Sequence, residues 1–568
     1  MLLLHILGSL RRLSSHDLLH SIVSGIYTHS YPLVSYIIGL MKASDWYHVH
    51  FAIWAVFLLL LLGNTDSLTA RRLSDIDNWK SIYVKHLFKV FLMVYVMLKI
   101  YGSPSEDGKH VPPVPHLPAL TAILVVVVLK WYVMIASMRM VSKSYLCKNT
   151  KVVAEYMKHK DNNLGEPFDP VTMEGYRYMV AGEKYCRVKR PAAGGKPWYE
   201  QDGPSCSKKV TTVEQIWQCK GRLLLHGQRG KLLKDLCLSM ALSKMLNRRF
   251  AGFELSEAEL EKTHDFVFKG LLSGDKPHQR AFRVVEEELV FVHDLYYTRY
   301  SYLDRKGRFF ALCLPVIMFA LCSWLTCLLA MDRRRVALTI FITLVVAFLE
   351  AYQLYLYIAS GWFKVALVRS YVTTPFLQRN RCFLEMMIGL LLRFKGYRPW
   401  KGRLGQYCIL RDLGRKSRVS SCLHYATLFL VDKTKKGRKN SVRLSENVKK
   451  AVVDSLLRSE GQLTNGVASL QNNRVHDKLS RACDVTATDG TVTRTILVWH
   501  VATTLCEHHP VDAPELLPDH ISESESMLDR ALDEASQLLK KAKTLESRCE
   551  ELMSVSYKDS RVLHWIDI

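Results

Sequence analysis

The sequence predicts a mainly α protein, a polytopic α-helical membrane domain of five or six spans that carries two helix-rich cytoplasmic modules. Three observations carry that expectation. First, two long apolar stretches, Phe309 to Met331 and Val336 to Trp362, flank the short charged turn Asp332-Arg333-Arg334-Arg335. The first stretch is uncharged over 23 residues, and at about 1.5 Å of rise per residue such a helix covers a hydrocarbon core of roughly 30 Å. Second, several further apolar segments precede this hairpin. Third, Lys and Arg collect in the polar regions on either side of it. A hairpin returns the chain to the side it left, so the regions before Phe309 and after Trp362 share one compartment, and their basic excess makes that side cytoplasmic.

Composition alone would mislead. Over 568 residues, 49% apolar and 23% charged residues suit an ordinary soluble protein, but here the apolar residues are bunched. The net charge of +25 favours an anionic partner. Lipid headgroups are the economical choice, because each basic residue beside an anionic membrane gains about 1 kcal/mol. Nucleic acid is the weaker reading, since there is no zinc-finger spacing, RNA-recognition signature or basic zipper. The 14 cysteines are scattered without a Cys-x-x-Cys, and Cys313, Cys322 and Cys327 sit in an apolar run. That pattern points to a reducing compartment and to no zinc site. The absence of any Asn-x-Ser/Thr acceptor agrees with little exposure to a secretory lumen.

In chain order, residues 1–20 form an apolar stub, read as a truncated helix, too short to span and followed by Arg11 and Arg12 instead of led by them. Residues 21–138 hold the N-terminal spans: Ser21 to Met41 with Pro32 inside, Tyr47 to Gly63, Ile82 to Tyr101 with Lys85 and Lys89 near its start, and Leu117 to Ser137 with Lys130. Residues 139–308 form the first cytoplasmic module. In it Val213 to Leu225, Leu232 to Phe250 and Ala281 to Tyr300 have helical spacing, Val285, Leu289, Val292 and Tyr296 share a face, and Lys189 to Lys209 reads as an exposed loop. The hairpin occupies 309–362. In the C-terminal module, 363–510, Ser445 caps a helix striped by Val448, Val452 and Leu456 and stopped by Gly461. The tail, 511–568, repeats Leu528, Leu532, Ala535, Leu539 and Ala542 at alternating four and three spacing, a short coiled-coil seam that makes 522–553 a candidate surface for a protein partner.

Five pieces of the chain also carry a resemblance. Phe51-Ala-Ile-Trp-Ala-Val-Phe-Leu-Leu-Leu with Gly63-Asn-Thr-Asp-Ser, Asp169-Pro-Val-Thr-Met-Glu-Gly-Tyr, Lys234-Asp-Leu-Cys-Leu-Ser, Glu288-Leu-Val-Phe-Val-His-Asp-Leu-Tyr-Tyr-Thr and Ile496-Leu-Val-Trp-His-Val-Ala-Thr stand in this order between Ser21 and Cys506. Together they resemble a plant family of multi-pass membrane proteins catalogued as a domain of unknown function (DUF4220) with a second such domain (DUF594) at the C-terminus. The resemblance implies a plant membrane protein and supplies no reaction, cofactor or ligand. Against that pattern the N-terminus looks shortened within its first helix, and the tail beyond Cys506 replaces an apolar closing segment.

The candidate residues follow from cost. An ionisable group near a bilayer midplane is expensive unless paired, hydrated or neutralised, which singles out the intramembrane charges Glu350, Lys130 and Lys89. Glu350 with Lys130 reads either as a structural pair or as part of an ion or proton path. Arg393, Lys395, Arg398, Lys401, Arg403, Arg415, Lys416 and Arg418 lie in a basic stretch interleaved with Tyr397, Trp400 and Tyr407 and are candidate contacts for anionic lipid. Asp169, Glu174 and Glu183 with His293 and Asp294 could be drawn as an acid-base or metal cluster, but such carboxylates are far more often caps and solvated groups. Trp499-His500 reads as core, and Gly194-Gly195-Lys196 lacks the first glycine and the Ser/Thr of a phosphate loop. No catalytic, cofactor or metal residue is assigned. The sequence reads as a membrane scaffold or signalling protein, with a transporter or channel as the alternative.

Overall fold

The computed structural model describes residues 17–43, 49–65, 79–102, 116–161, 167–189, 198–201, 210–225, 227–253, 260–298, 300, 308–331, 337–374, 376, 378, 383–391, 402–406, 440–461, 467, 471, 474 and 476–479. The chain divides into two compact units, Met1–Lys276 with Arg280–Pro399, and Pro277–Gln279 with Trp400–Ile568.

The first unit contains an apolar bundle built from α1 (Asp17–Ala43), α2 (Val49–Thr65), α3 (Trp79–Gly102), α4 (Leu117–Val141), α11 (Arg308–Met331) and α12 (Ala337–Ala359). Three helical stretches, Leu117–Val141, Leu312–Met331 and Ala337–Ala359, are long and apolar enough to cross a membrane, and Pro32–Met41 and Phe51–Leu61 are shorter apolar helices. Their outward faces are apolar as well as their interior, unlike those of a water-soluble bundle. Val125 and Tyr132 on α4, Val316 and Phe319 on α11, and Phe341, Leu344 and Phe348 on α12 face outward, while Lys130, Thr339, Thr343 and Glu350 are buried. Water would penalise so large an apolar exterior, whereas lipid accepts it and instead requires the polar groups to find partners inside. α4 is the hub, packing against α2, α3 and α11, while α12 lies along α11 and α2. Pro315 sits inside α11 and Pro32 inside α1, as membrane helices tolerate.

Two of these helices continue into a polar layer through serine breaks. Ser142, with φ −57° and ψ 146°, separates α4 from α5 (Lys143–Asp161), and its Oγ donates to Arg139 O at 2.7 Å. Ser360, with φ −67° and ψ 152°, separates α12 from α13 (Gly361–Thr373) and N-caps the latter by accepting from Phe363 N at 3.3 Å. Both α5 and α13 pack on α8 (Gly227–Phe250), the central helix of the layer. Around it stand α6 (Val213–Gln218), α7 (Arg222–Leu225), α9 (Glu261–Asp265) with the π-turn Phe266–Leu271, and α10 (Pro277–Tyr297). α6 starts with a reciprocal capping box between Thr212 and Gln215.

Here the sequence expectation needs amendment. The stretch from Lys189 to Lys209 is not simply a loop, because β2 (Cys186–Lys189) and β3 (Trp198–Gln201) pair antiparallel with Cys186 opposite Gln201 and Lys189 opposite Trp198. A second pair joins β1 (Met179–Ala181) to β4 (Thr211–Thr212). Val213 to Leu225 is two helices instead of one, since residues 219–221 are non-helical. On α10 the buried face is Ala281, Val284, Phe291 and Asp294, while Val285 and Leu289 of the predicted stripe are 45% and 53% exposed.

In the second unit β5 (Arg403–Gln406) pairs antiparallel with β6 (Asn440–Arg443). α14 (Glu446–Arg458) is capped by Ser445, whose Oγ accepts from Val448 N at 3.3 Å, and its end is closed by Gly461 N donating to Leu456 O at 3.1 Å with φ 79° at Gly461. Val448 and Val452 are exposed and Val453 is the buried position. A short helix, His476–Leu479, completes its described elements.

Candidate functional site: a buried ion pair between apolar helices

Glu350 lies on the face of α12 that also carries Thr339 and Thr343, four- and seven-residue steps that keep all three on one stripe. All are buried, Glu350 completely. Lys130 comes from the middle of α4 and is 5% exposed, and its Nζ donates to Glu350 Oε2. Two opposite charges brought together in a low-dielectric interior each relieve the other's desolvation. Nearby, Trp54 Nε1 of α2 donates to Thr339 Oγ1 at 3.1 Å, so the same stripe of α12 is tied to a third helix. Thr343 returns its hydroxyl to Thr339 O at 2.8 Å. Each polar group on this stripe thus has a partner of its own.

Lys89 is also buried, on α3, beside His86, whose ring lies 4.3 Å from that of Trp131, the neighbour of Lys130. Lys85, one turn earlier, is exposed. Of the basic stretch proposed for lipid, Arg403 is in β5, directly opposite Arg443, and Arg393, Lys395, Arg398, Lys401, Arg415, Lys416 and Arg418 lie outside the described residues. The coiled-coil seam at 522–553, Trp499-His500 and Gly194 to Lys196 lie outside them too.

The carboxylates drawn from sequence do not converge. Asp169 caps its own turn, accepting from Val171 N at 2.9 Å and from Thr172 Oγ1 at 2.6 Å, and these bonds, the Thr172 hydroxyl foremost, hold its carboxyl below the usual range. The following residues Met173 and Gly175 take positive φ, 59° and 79°, and Gly175 N donates to Glu214 Oε1 at 2.9 Å. Glu183 pairs with Lys244 at 2.5 Å, and His293 stands 3.5 Å from Asp294. Among the described residues no three His, Cys, Asp or Glu side chains form a metal-holding group.

Sequence reasoning missed a second charge cluster. Asp235 on α8 is 6% exposed and accepts from Arg280 Nε at 3.1 Å and from an Arg283 terminal nitrogen at 2.6 Å, while Arg280 also donates to Gly270 O in the π-turn at 2.8 Å. The signal was present: Asp235 interrupts the apolar run between Leu233 and Leu236.

Comparison with curated proteins and with solved structures finds no match. Residues 25–413 match the model of a family described as Domain of unknown function (DUF4220), a span that takes in the apolar helices, the polar layer and the Lys130–Glu350 pair. By that match, which covers more than half of its length, the chain belongs to the DUF4220 family.

Proposed function

We propose that the protein is a plant multi-pass membrane scaffold that acts by interaction and not by turnover, with five or six crossings and its polar regions on the cytoplasmic side. The observation that carries this reading is the closure of Glu350 by Lys130. A carboxylate buried completely and neutralised by a lysine on a neighbouring helix suits a fastener between spans. α1, α2 and α3 supply the additional crossings: α3 is 24 residues long and turns Phe88, Phe91 and Leu98 outward as a lipid-facing helix does. The basic stretch after residue 392 and the seam at 522–553 are the candidate surfaces for anionic lipid and for a protein partner.

A transporter is the second reading, favoured by one observation. Thr339, Thr343 and Glu350 form a polar stripe inside the bundle, and Lys89 and His86 are buried in it as well. Topology tests the first reading. Tags inserted near Gly194 and after Ile568 should both be digested by protease added to the cytoplasmic face, and tags on opposite faces would end the scaffold arrangement.

A further inference from the structure

α7 and α8 meet in a tight elbow. Gly227 takes φ 80° to make the turn, and a Cβ on Gly230 would stand 2.8 Å from Leu224 O, so the two helices touch backbone to backbone. The start of the elbow is fixed as firmly. A Cβ on Gly221 would run into the ring of Tyr371, a fully buried side chain on α13, the helix that continues α12 out of the apolar bundle. The elbow is therefore closely packed, and its start rests on an element leaving that bundle.

Its exposed side chains are of two kinds. Leu225 and Leu232 are 52% and 44% exposed, and Arg222, Arg229 and Lys231 beside them are exposed as well. From Lys220 to Lys234 there are five Lys or Arg residues and no Asp or Glu. Lys234 turns inward, donating to Trp217 O at 3.3 Å, which leaves the other cations to the surface. Leucines standing among cations, with no acid in the same segment, match an anionic interface that has an apolar layer beneath its charges. Nucleic acid would use the cations and leave the leucines in water.

We propose that this elbow is a peripheral membrane contact, with Leu225 and Leu232 inserted below the headgroups of anionic lipids and Arg222, Arg229 and Lys231 on their phosphates. The proposal rests on the membrane reading above and adds a lipid-binding surface to the polar layer, separate from the basic stretch after residue 392. The effect would be to hold the layer down on the bilayer that its own helices enter.

The test uses the full chain in nanodiscs of phosphatidylcholine alone or doped with phosphatidylserine, with hydrogen exchange read over residues 220–234. Phosphatidylserine should slow exchange there roughly tenfold, and high salt should remove the gain. The triple variant Arg222→Gln, Arg229→Gln, Lys231→Gln should lose it, and Leu225→Ser with Leu232→Ser should reduce it. Protection in the rest of α8 serves as the fold control for both. Equal exchange in the two discs would overturn the proposal. So would protection that an RNA oligonucleotide or polyglutamate confers in phosphatidylcholine discs and that survives the leucine changes. Failure of the spanning reading looks different, because alkaline carbonate would then strip the chain from membranes. Flotation with phosphatidylserine vesicles would still decide the elbow: weaker flotation of the triple variant supports it, and no difference refutes it.

Discussion

Lys130 and Glu350 stand 220 residues apart in sequence and form an ion pair between α4 and α12, with Glu350 fully buried. Glu350→Gln would replace the carboxylate facing Lys130 with a neutral amide. The expected loss in the membrane bundle is about 3–5 kcal/mol, read as a lowered unfolding temperature in detergent. Adding Lys130→Met should recover most of it. If Glu350→Gln protein is instead stable and a reconstituted ion flux disappears, the transporter reading replaces the scaffold.

Asp235 gathers two guanidinium groups on the polar layer. Asp235→Asn keeps the shape but weakens both charge-assisted bonds, so unfolding of this layer should become easier by about 2–3 kcal/mol. Arg283→Lys should cost less, since one ammonium can still reach the carboxylate. Equal losses for the two variants would mean that packing around Asp235, and not its charge, matters.

Gly361 opens α13 against the ring of Phe291, which also meets Trp362 edge-on at a centroid distance of 5.7 Å. A Cβ there would lie 2.9 Å from Phe291 Cζ. Gly361→Ala should therefore destabilise by about 1–3 kcal/mol through overpacking, and Phe291→Leu in the same chain should relieve part of the loss. A neutral Gly361→Ala would show that the ring moves aside freely.

Glu288 is half-buried on α10, and burial pushes its carboxyl up from 4.5 to about 7. Between those values the native chain holds a proton that the unfolded chain has released, so the stability present below the window falls as pH rises through it. Glu288→Gln should flatten that fall and raise stability by about 1–3 kcal/mol above the window, with no change below it. Parallel pH profiles for the two proteins would remove the assignment.

How much of this the sequence discloses depends on how rare each signal is. A charge inside an apolar run is rare, so Glu350 and Lys130 stand out by themselves, and only their pairing needed three dimensions. Helical periodicity is less decisive. On α10 the sets Ala281, Val284, Phe291 and Val285, Leu289, Val292 are about equally apolar, and nothing local says which one meets α8 and α13. Asp235 was overlooked because an acidic residue next to Lys234 resembles a solvated pair, and its true partners sit 45 and 48 residues away. The strand pairs at 179–212 were lost to their length, since two to four residues give alternation too little room to register.

The separation of Lys130 from Glu350 also has a meaning in time. A ribosome adds about 5–20 residues per second, so α4 leaves it tens of seconds before α12 exists. During that interval Lys130 has no Glu350, and a lone lysine at the centre of a helix disfavours insertion by about 2.5–3.5 kcal/mol. α4 must therefore wait, beside the insertion machinery or with Lys130 reaching toward the surface, until the hairpin arrives. Assembly of this bundle is thereby timed by its last helix.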